Sequence, residues 1–191
     1  VTCLEIKSPG AFEMDHAEKK VILHAGDYSF DKAGTHVHTL LGSCVSITIW
    51  HPVFIIGGMC HFALPRPDGR PPGSALDPRY AEDCVELFKR SVDRKATKLK
   101  DYDVKIFGGG NMYDKYPDPD LDVAEKQPIG EKNVAAAYTL LVNEGANILV
   151  AHVGESGHRR LVFDISTGDV WVRFTPGKGA VGNTRSLDGR K

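Results

Sequence analysis

Val45-Ser46-Ile47-Thr48-Ile49-Trp50, followed by His51-Pro52 and a second apolar run over residues 55–64, decides the reading of the chain. The first run alternates β-branched apolar residues with hydroxyl residues at a period of two, and each run stops at a proline, Pro52 or Pro65. That is the pattern of two strands, with His51-Pro52 marking the turn of an antiparallel hairpin. Outward from this hairpin, further strands are predicted at residues 21–24, 36–41, 104–107, 147–153, 160–165 and 170–174. The last two flank Ser166-Thr167-Gly168-Asp169, a hairpin loop.

Two segments carry the helical period instead. Asp77-Pro78 precedes residues 79–97, where Tyr80, Cys84, Leu87, Phe88 and Val92 recur at helical spacing with charges between them. The second helix is predicted from residue 130 or 131 to 144, with Val134, Ala137, Tyr138 and Leu141 inward and Gly145 in the C′ position. Strands, a helix, a strand, a helix and three strands give a mixed α+β fold: layered mixed β-sheets flanked by two main helices, not a doubly wound parallel sheet. Residues 1–20 read as a polar lead-in, 21–175 as one domain and 176–191 as a flexible tail rich in Gly.

At 191 residues, 41% hydrophobic and 26% charged, the composition excludes collagen-like, mucin-like and wholly disordered chains. Lys and Arg number 24 against 25 Asp and Glu, a net charge of −1 that gives no support to a nucleic-acid or membrane-surface partner. No apolar run approaches the roughly 18 residues of a membrane helix. The first twenty residues lack the basic-then-apolar pattern of a secretory signal. Cys3, Cys44, Cys60 and Cys84 form no CxxC pair, which argues against a zinc knuckle or a thioredoxin-like motif and fits a reduced, cytoplasmic protein.

The chemistry concentrates on the hairpin. In Leu41-Gly42-Ser43-Cys44-Val45 a Gly-Ser pair lets the backbone bend and bring amide N–H groups near the sulfur, where they stabilise a thiolate or an oxyanion. Cys44 is thus either a nucleophile or a small buried hydrophobe at the start of a strand. His61, in Gly57-Gly58-Met59-Cys60-His61-Phe62, follows seventeen residues later; counted outward from the turn, it and Cys44 meet at the far end of the hairpin. There an imidazole can take the thiol proton and return it to a leaving amine, the alternative being a satisfied core histidine. Gly108-Gly109-Gly110-Asn111-Met112 lacks the Lys and Ser/Thr of a phosphate loop, and reads as backbone that must approach closely. His36 and His38, with His51 or His61, form at most a weak metal pattern. His158-Arg159-Arg160 reads as a basic, solvated turn, the alternative being a cluster that meets the acidic surface of a helical receptor, and residues 114–125 read as an exposed acidic loop.

Thr39 to Val45 and Gly57 to Pro65 together resemble the chemoreceptor glutamine deamidase family, CheD. The resemblance continues through Tyr80-Ala81, Lys105 to Met112, Ile129 to Val134, Gly154 to Arg159 and Phe163 to Gly168, in family order over residues 21–174. It implies a cysteine-hydrolase-like fold and an enzyme that converts receptor Gln side chains to Glu, releasing ammonia, with Cys44 as nucleophile and His61 as acid–base. No metal or organic cofactor is implied. The partners implied are the cytoplasmic helical region of methyl-accepting chemotaxis receptors and a CheC-type phosphatase, without nucleic acid or membrane insertion. In the family a Thr six residues before the Cys orients the His; here that offset is His38, and Thr39 stands five before. Neighbouring strand residues face opposite sides, so either a bulge restores Thr39 or His38 takes the slot, and Thr39 is the reading carried forward. Gly42 and Ser43 are expected to supply the oxyanion donors. Two other classes compete: an adaptor that binds receptors and a CheC-type phosphatase, and an amidase or protease on another protein.

Overall fold

The computed structural model describes residues 18–71, 73–111 and 127–177. Its strands and helices follow as β1 (Lys19–Leu23), β2 (Asp27–Lys32), β3 (Thr35–Leu41), β4 (Val45–His51), β5 (Ile56–His61), α1 (Ala81–Asp93), β6 (Asp103–Gly108), α2 (Ile129–Asn143), β7 (Asn147–Val153), β8 (Gly157–Asp164) and β9 (Val170–Pro176). A short 3-10 turn at Leu99–Asp101 leads into β6. The strands form a four-stranded sheet in the order β1-β3-β8-β9 and a five-stranded sheet in the order β2-β5-β4-β6-β7. Both sheets mix parallel and antiparallel pairs: β1–β3 and β6–β7 are parallel, the rest antiparallel. The expected mixed α+β architecture with two helices is what the chain adopts.

Alternation along the central strands explains the layering. Val45, Ile47 and Ile49 of β4 face α1 and α2, packing with Cys84, Phe88, Ala137 and Leu141 in one core. Leu23, Val37, Leu41, Met59, Phe107, Leu161 and Phe163 fill a second core between the two sheets. The five-stranded sheet is therefore covered on both faces, which is why β4 is apolar enough to be read at once, whereas the four-stranded sheet keeps one face to solvent. A fully buried Phe or Ile in either core contributes about 1.5–3 kcal/mol.

The predicted hairpin is present: Thr48 pairs with Met59, Ile49 with Gly58, Trp50 with Gly57 and His51 with Ile56. Its turn is closed by Ile55 in the left-handed region and by His51 Nδ1, which accepts from the Val53 and Phe54 N–H groups. Several elements differ from the sequence reading, β8 among them, which begins at Gly157 and not at residue 160. β2 went unread, because Asp-Tyr-Ser-Phe-Asp-Lys has charged ends and only half-buried side chains, as an edge strand against β5 allows. Helix α1 ends at Asp93, not 97: Ala96 turns left-handed, and the Thr97 hydroxyl donates to the Val92 carbonyl and closes the helix end. The sheets also take in Lys19, Lys20 and Pro176, which the sequence reading gave to lead-in and tail. Residues 1–17 and 178–191, and the acidic segment 114–125, lie outside the described residues. Among the described residues no helix is long and apolar enough to cross a membrane.

Candidate active site

The hairpin register fixes the relation of Cys44 to His61. Val45 and Phe62 exchange both backbone hydrogen bonds at 3.0 Å, so Cys44 and His61 flank that pair diagonally on the same face. Diagonal neighbours in an antiparallel pair stand about 7–8 Å apart at their backbones, within reach of side chains. Because Val45 and Phe62 point to the helix-side core, Cys44 and His61 point into the layer between the sheets, where Cys44 packs against the second core.

On the opposite sheet β3 presents Thr39, 4% exposed, with its Oγ1 2.8 Å from His61 Nδ1. Oγ1 also lies 2.9 Å from the Leu23 carbonyl, which can only accept. A hydroxyl has one proton: Thr39 donates it to Leu23 and therefore accepts from His61 Nδ1–H. The tautomer follows, with Nε2 holding a bare lone pair in the interior, without a partner among the described residues. Burial is the main influence on His61 and holds it below the ordinary imidazole value, against the upward pull of the Leu23 carbonyl and Asp27. Burial likewise pushes the Cys44 thiol up, its own backbone N–H opposing in part. The resting pair is thiol and neutral imidazole.

His38 does not reach His61. It lies on the outer parity of β3, level with Ile22 and Val162, while Val37, Thr39 and Leu41 point inward. The β3 ladders run without a register shift through Thr39 to Leu41, so no bulge brings Thr39 inward; strand parity alone does it. A groove of about 380 Å³ opens beside Thr39 and His61, with Lys20, His24, His38 and Arg160 on its walls.

The loop carrying Cys44 is held by its carbonyls. Gly42 C=O accepts from Gly110 N–H at 2.8 Å, Cys44 C=O from Gly109 N–H at 2.8 Å, and Ser43 C=O from Asn133 Nδ2 at 3.2 Å. Among the described residues no backbone carbonyl accepts from the N–H of Gly42 or Ser43. The glycine run makes this packing possible. A Cβ on Gly108, at φ +108, would stand 2.2 Å from the Cys44 carbonyl oxygen; one on Gly109, at φ +65, would stand 2.8 Å from the Gly130 carbonyl oxygen. These glycines therefore seat the Cys44 loop and the start of α2.

Asn133 is a site residue the sequence reading passed over. Fully buried on α2, its Nδ2 also donates to the Ala63 carbonyl at 2.8 Å, tying the Cys44 loop to the chain just past His61. Asn133→Leu keeps the volume and strands both carbonyls, so we expect a loss of about 1–3 kcal/mol for each acceptor left bare, read from the denaturant midpoint. A loss under about 0.5 kcal/mol would mean the amide holds nothing.

The remaining histidines have other places. His36 sits between Glu18 and Asp164, at 3.3 and 3.5 Å, and His51 closes the β4–β5 turn. His158-Arg159-Arg160 is not a solvated turn: it lies in β8, with His158 and Arg160 outward and Arg159 wholly buried.

Fold and site define an α+β protein whose two sheets close on a cysteine, a histidine and a threonine at the end of a hairpin. Residues 63–174 match the family model described as CheD chemotactic sensory transduction. A probable chemoreceptor glutamine deamidase CheD of Dechloromonas aromatica is 43% identical over 161 residues, covering 84% of this chain and 91% of its own length. One from Pseudomonas fluorescens is 42% identical over 82% of this chain and 85% of its own. This chain belongs to the CheD family. A solved hypothetical protein, YfiH of Bacillus licheniformis, aligns over 68% of this chain at a TM-score of 0.41 and 16% identity, a likeness too remote to argue from.

Proposed function

We propose that this chain is a cytoplasmic chemoreceptor glutamine deamidase that converts receptor Gln side chains to Glu with release of ammonia, using Cys44, His61 and Thr39. The observation that carries the roles is the Thr39–His61–Cys44 arrangement: an orienting hydroxyl on Nδ1, a bare Nε2, and a thiol diagonal to it on the same face. The family-model match begins at Ala63, just past His61, so these roles rest on geometry.

The chemistry runs as acyl transfer. As Cys44 Sγ attacks the amide carbon, its proton passes to His61 Nε2. The negative charge that develops on the amide oxygen falls to the Gly42 and Ser43 N–H groups, which no backbone carbonyl among the described residues engages. His61 then hands the proton to the departing nitrogen, ammonia leaves, and a thioester remains on Cys44. Water, deprotonated by His61, adds to the thioester; collapse releases Glu and returns the thiol. The adaptor reading requires none of these groups to converge, and their convergence favours the enzyme. A CheC-type phosphatase is the further partner we propose, expected to co-elute with this chain on a sizing column.

The test is mass spectrometry of receptor cytoplasmic fragments incubated with the protein, which should show selected Gln residues converted to Glu. Absence of any conversion by freshly reduced protein would reject the reading. Thr39 is a positioning residue, so Thr39→Ala should slow turnover without abolishing it, Thr39→Ser should retain most of the rate, and His38→Ala should be nearly neutral. A larger loss for His38→Ala than for Thr39→Ala would overturn the assignment.

A further inference from the structure

Among the described residues, four buried side-chain polar atoms have no partner: His61 Nε2, Asn133 Oδ1, and Nη1 and Nη2 of Arg159. The side chains of His61 and Asn133 border the loop that carries Cys44, and Arg159 is tied to it through its backbone, while its guanidinium lies between His152 and Phe174. His61 is diagonal to Cys44, Asn133 holds Ser43, and Arg159 pairs across β3–β8 with Leu41, the residue before Gly42. Buried polar groups are nearly always paired, so orphans gathered at one place point to partners brought by a ligand. The mechanism above uses His61, and Asn133 holds the Cys44 loop through its Nδ2. It has no use for Arg159.

Arg159 is 0% exposed, turned inward on β8 with Leu161 and Phe163. Its Nε donates to His152 Nδ1 at 2.8 Å. One face of the guanidinium lies over the Phe174 ring, its carbon 4.6 Å from the centroid. Stacked on one face and held at Nε, the group keeps its Nη1–Nη2 edge free: a planar fork with nothing bonded to it. That edge matches a carboxylate, two parallel N–H···O bonds with opposite charge, better than any neutral group. Glu155 is near enough for its charge to act on Arg159, but among the described residues no carboxylate is hydrogen-bonded to the Nη1–Nη2 edge, which leaves that edge to be completed by substrate.

We propose that Arg159 is a carboxylate-binding residue of the substrate site, its Nη1–Nη2 edge pairing with a carboxylate carried by the protein substrate; this rests on the deamidase reading above. The carboxylate comes either from the Glu just formed or from an acidic residue beside the target Gln, and the two are separable.

The experiment compares the native chain with Arg159→Met and Arg159→Lys. With receptor peptides as substrate, Arg159→Met should raise KM by roughly 10–100-fold, the scale of a lost charged hydrogen bond, with a smaller change in kcat. Arg159→Lys, which keeps the charge but not the fork, should fall between and serves if the Met variant fails to fold. Independently of turnover, acetate should raise the native melting temperature above chloride at equal ionic strength, and Arg159→Met should lose that response. If the product peptide competes better than its Gln form only when Arg159 is present, the carboxylate is the new Glu. If replacing the neighbouring acids raises KM only when Arg159 is present, it is the neighbour. A native chain that deamidates nothing yet keeps an Arg159-dependent acetate response would sink the deamidase reading and leave the carboxylate site standing. Unchanged KM and unchanged acetate response in an active Arg159→Met would overturn the site.

Discussion

Cys44→Ala should release no ammonia from a receptor fragment that the native chain deamidates, while its melting temperature stays close to the native value. Removing a covalent nucleophile from a working acid–base pair typically costs about 10⁶-fold, leaving only the background of bound substrate and oxyanion donors. The fold should tolerate it: Cys44 is half-buried, and its loop is anchored by the backbone of Gly42 and Cys44 and by Asn133, not by the thiol. Cys60 and Cys84 supply the controls. Both are buried in the helix-side core, Cys84 with its thiol donating to the Pro78 carbonyl at 3.1 Å. Their alanine variants should lose stability, about 1 kcal/mol or more, and keep the chemistry. Ammonia release by purified Cys44→Ala, or its loss only in Cys60→Ala, would assign the nucleophile elsewhere.

The contrast among these positions shows what the sequence makes legible. The β4–β5 hairpin could be read because β4 alternates Val45, Ile47 and Ile49 with small hydroxyl residues and its turn is short, so counting from the turn brings Cys44 and His61 to one end. β2 could not: a half-buried edge strand such as Asp27–Lys32 has nothing in its composition to separate it from a loop. Thr39 was legible by parity, for Val37, Thr39 and Leu41 share the inward face, although an offset counted from Cys44 pointed to His38. Asn133 and Arg159 carried the same kind of signal. Asn133 stands four residues before Ala137 and eight before Leu141, on the buried stripe of α2. Arg159 shares its parity with Leu161 and Phe163. A polar residue on an apolar face is the mark of a group held for its hydrogen bonds, and in Arg159 it was hidden by two outward basic neighbours. What parity cannot supply is the partner, since Ser43 and Ala63 lie 90 and 70 residues from Asn133, and His152, though seven residues from Arg159, stands on a strand of the other sheet.

His61→Ala should slow the reaction by roughly 10²–10⁴-fold, the usual contribution of a positioned acid–base group, and its pH profile should identify the lost role. In the native chain burial holds the imidazole below its ordinary value of about 6.5, so it is neutral and able to accept a proton through the neutral range. The acid limb of kcat/KM should accordingly lie below that value, with activity lost as Nε2 becomes protonated. Stability moves in the same direction. A histidine whose folded value is depressed binds its proton more readily in the unfolded chain, so the contribution of His61 is fully present above about pH 6.5 and is lost as pH falls through the folded value. His61→Ala should remove part of that acid sensitivity from the melting temperature. In the variant, turnover should climb with pH as solvent ionises the Cys44 thiol, which burial has pushed up, and so the rise should lie on the alkaline side. It should stop short of the native rate, because high pH supplies thiolate but no proton for the leaving nitrogen. Full recovery at high pH would show that His61 only tunes the thiol, and would leave the acid in the second half of the reaction to be sought elsewhere.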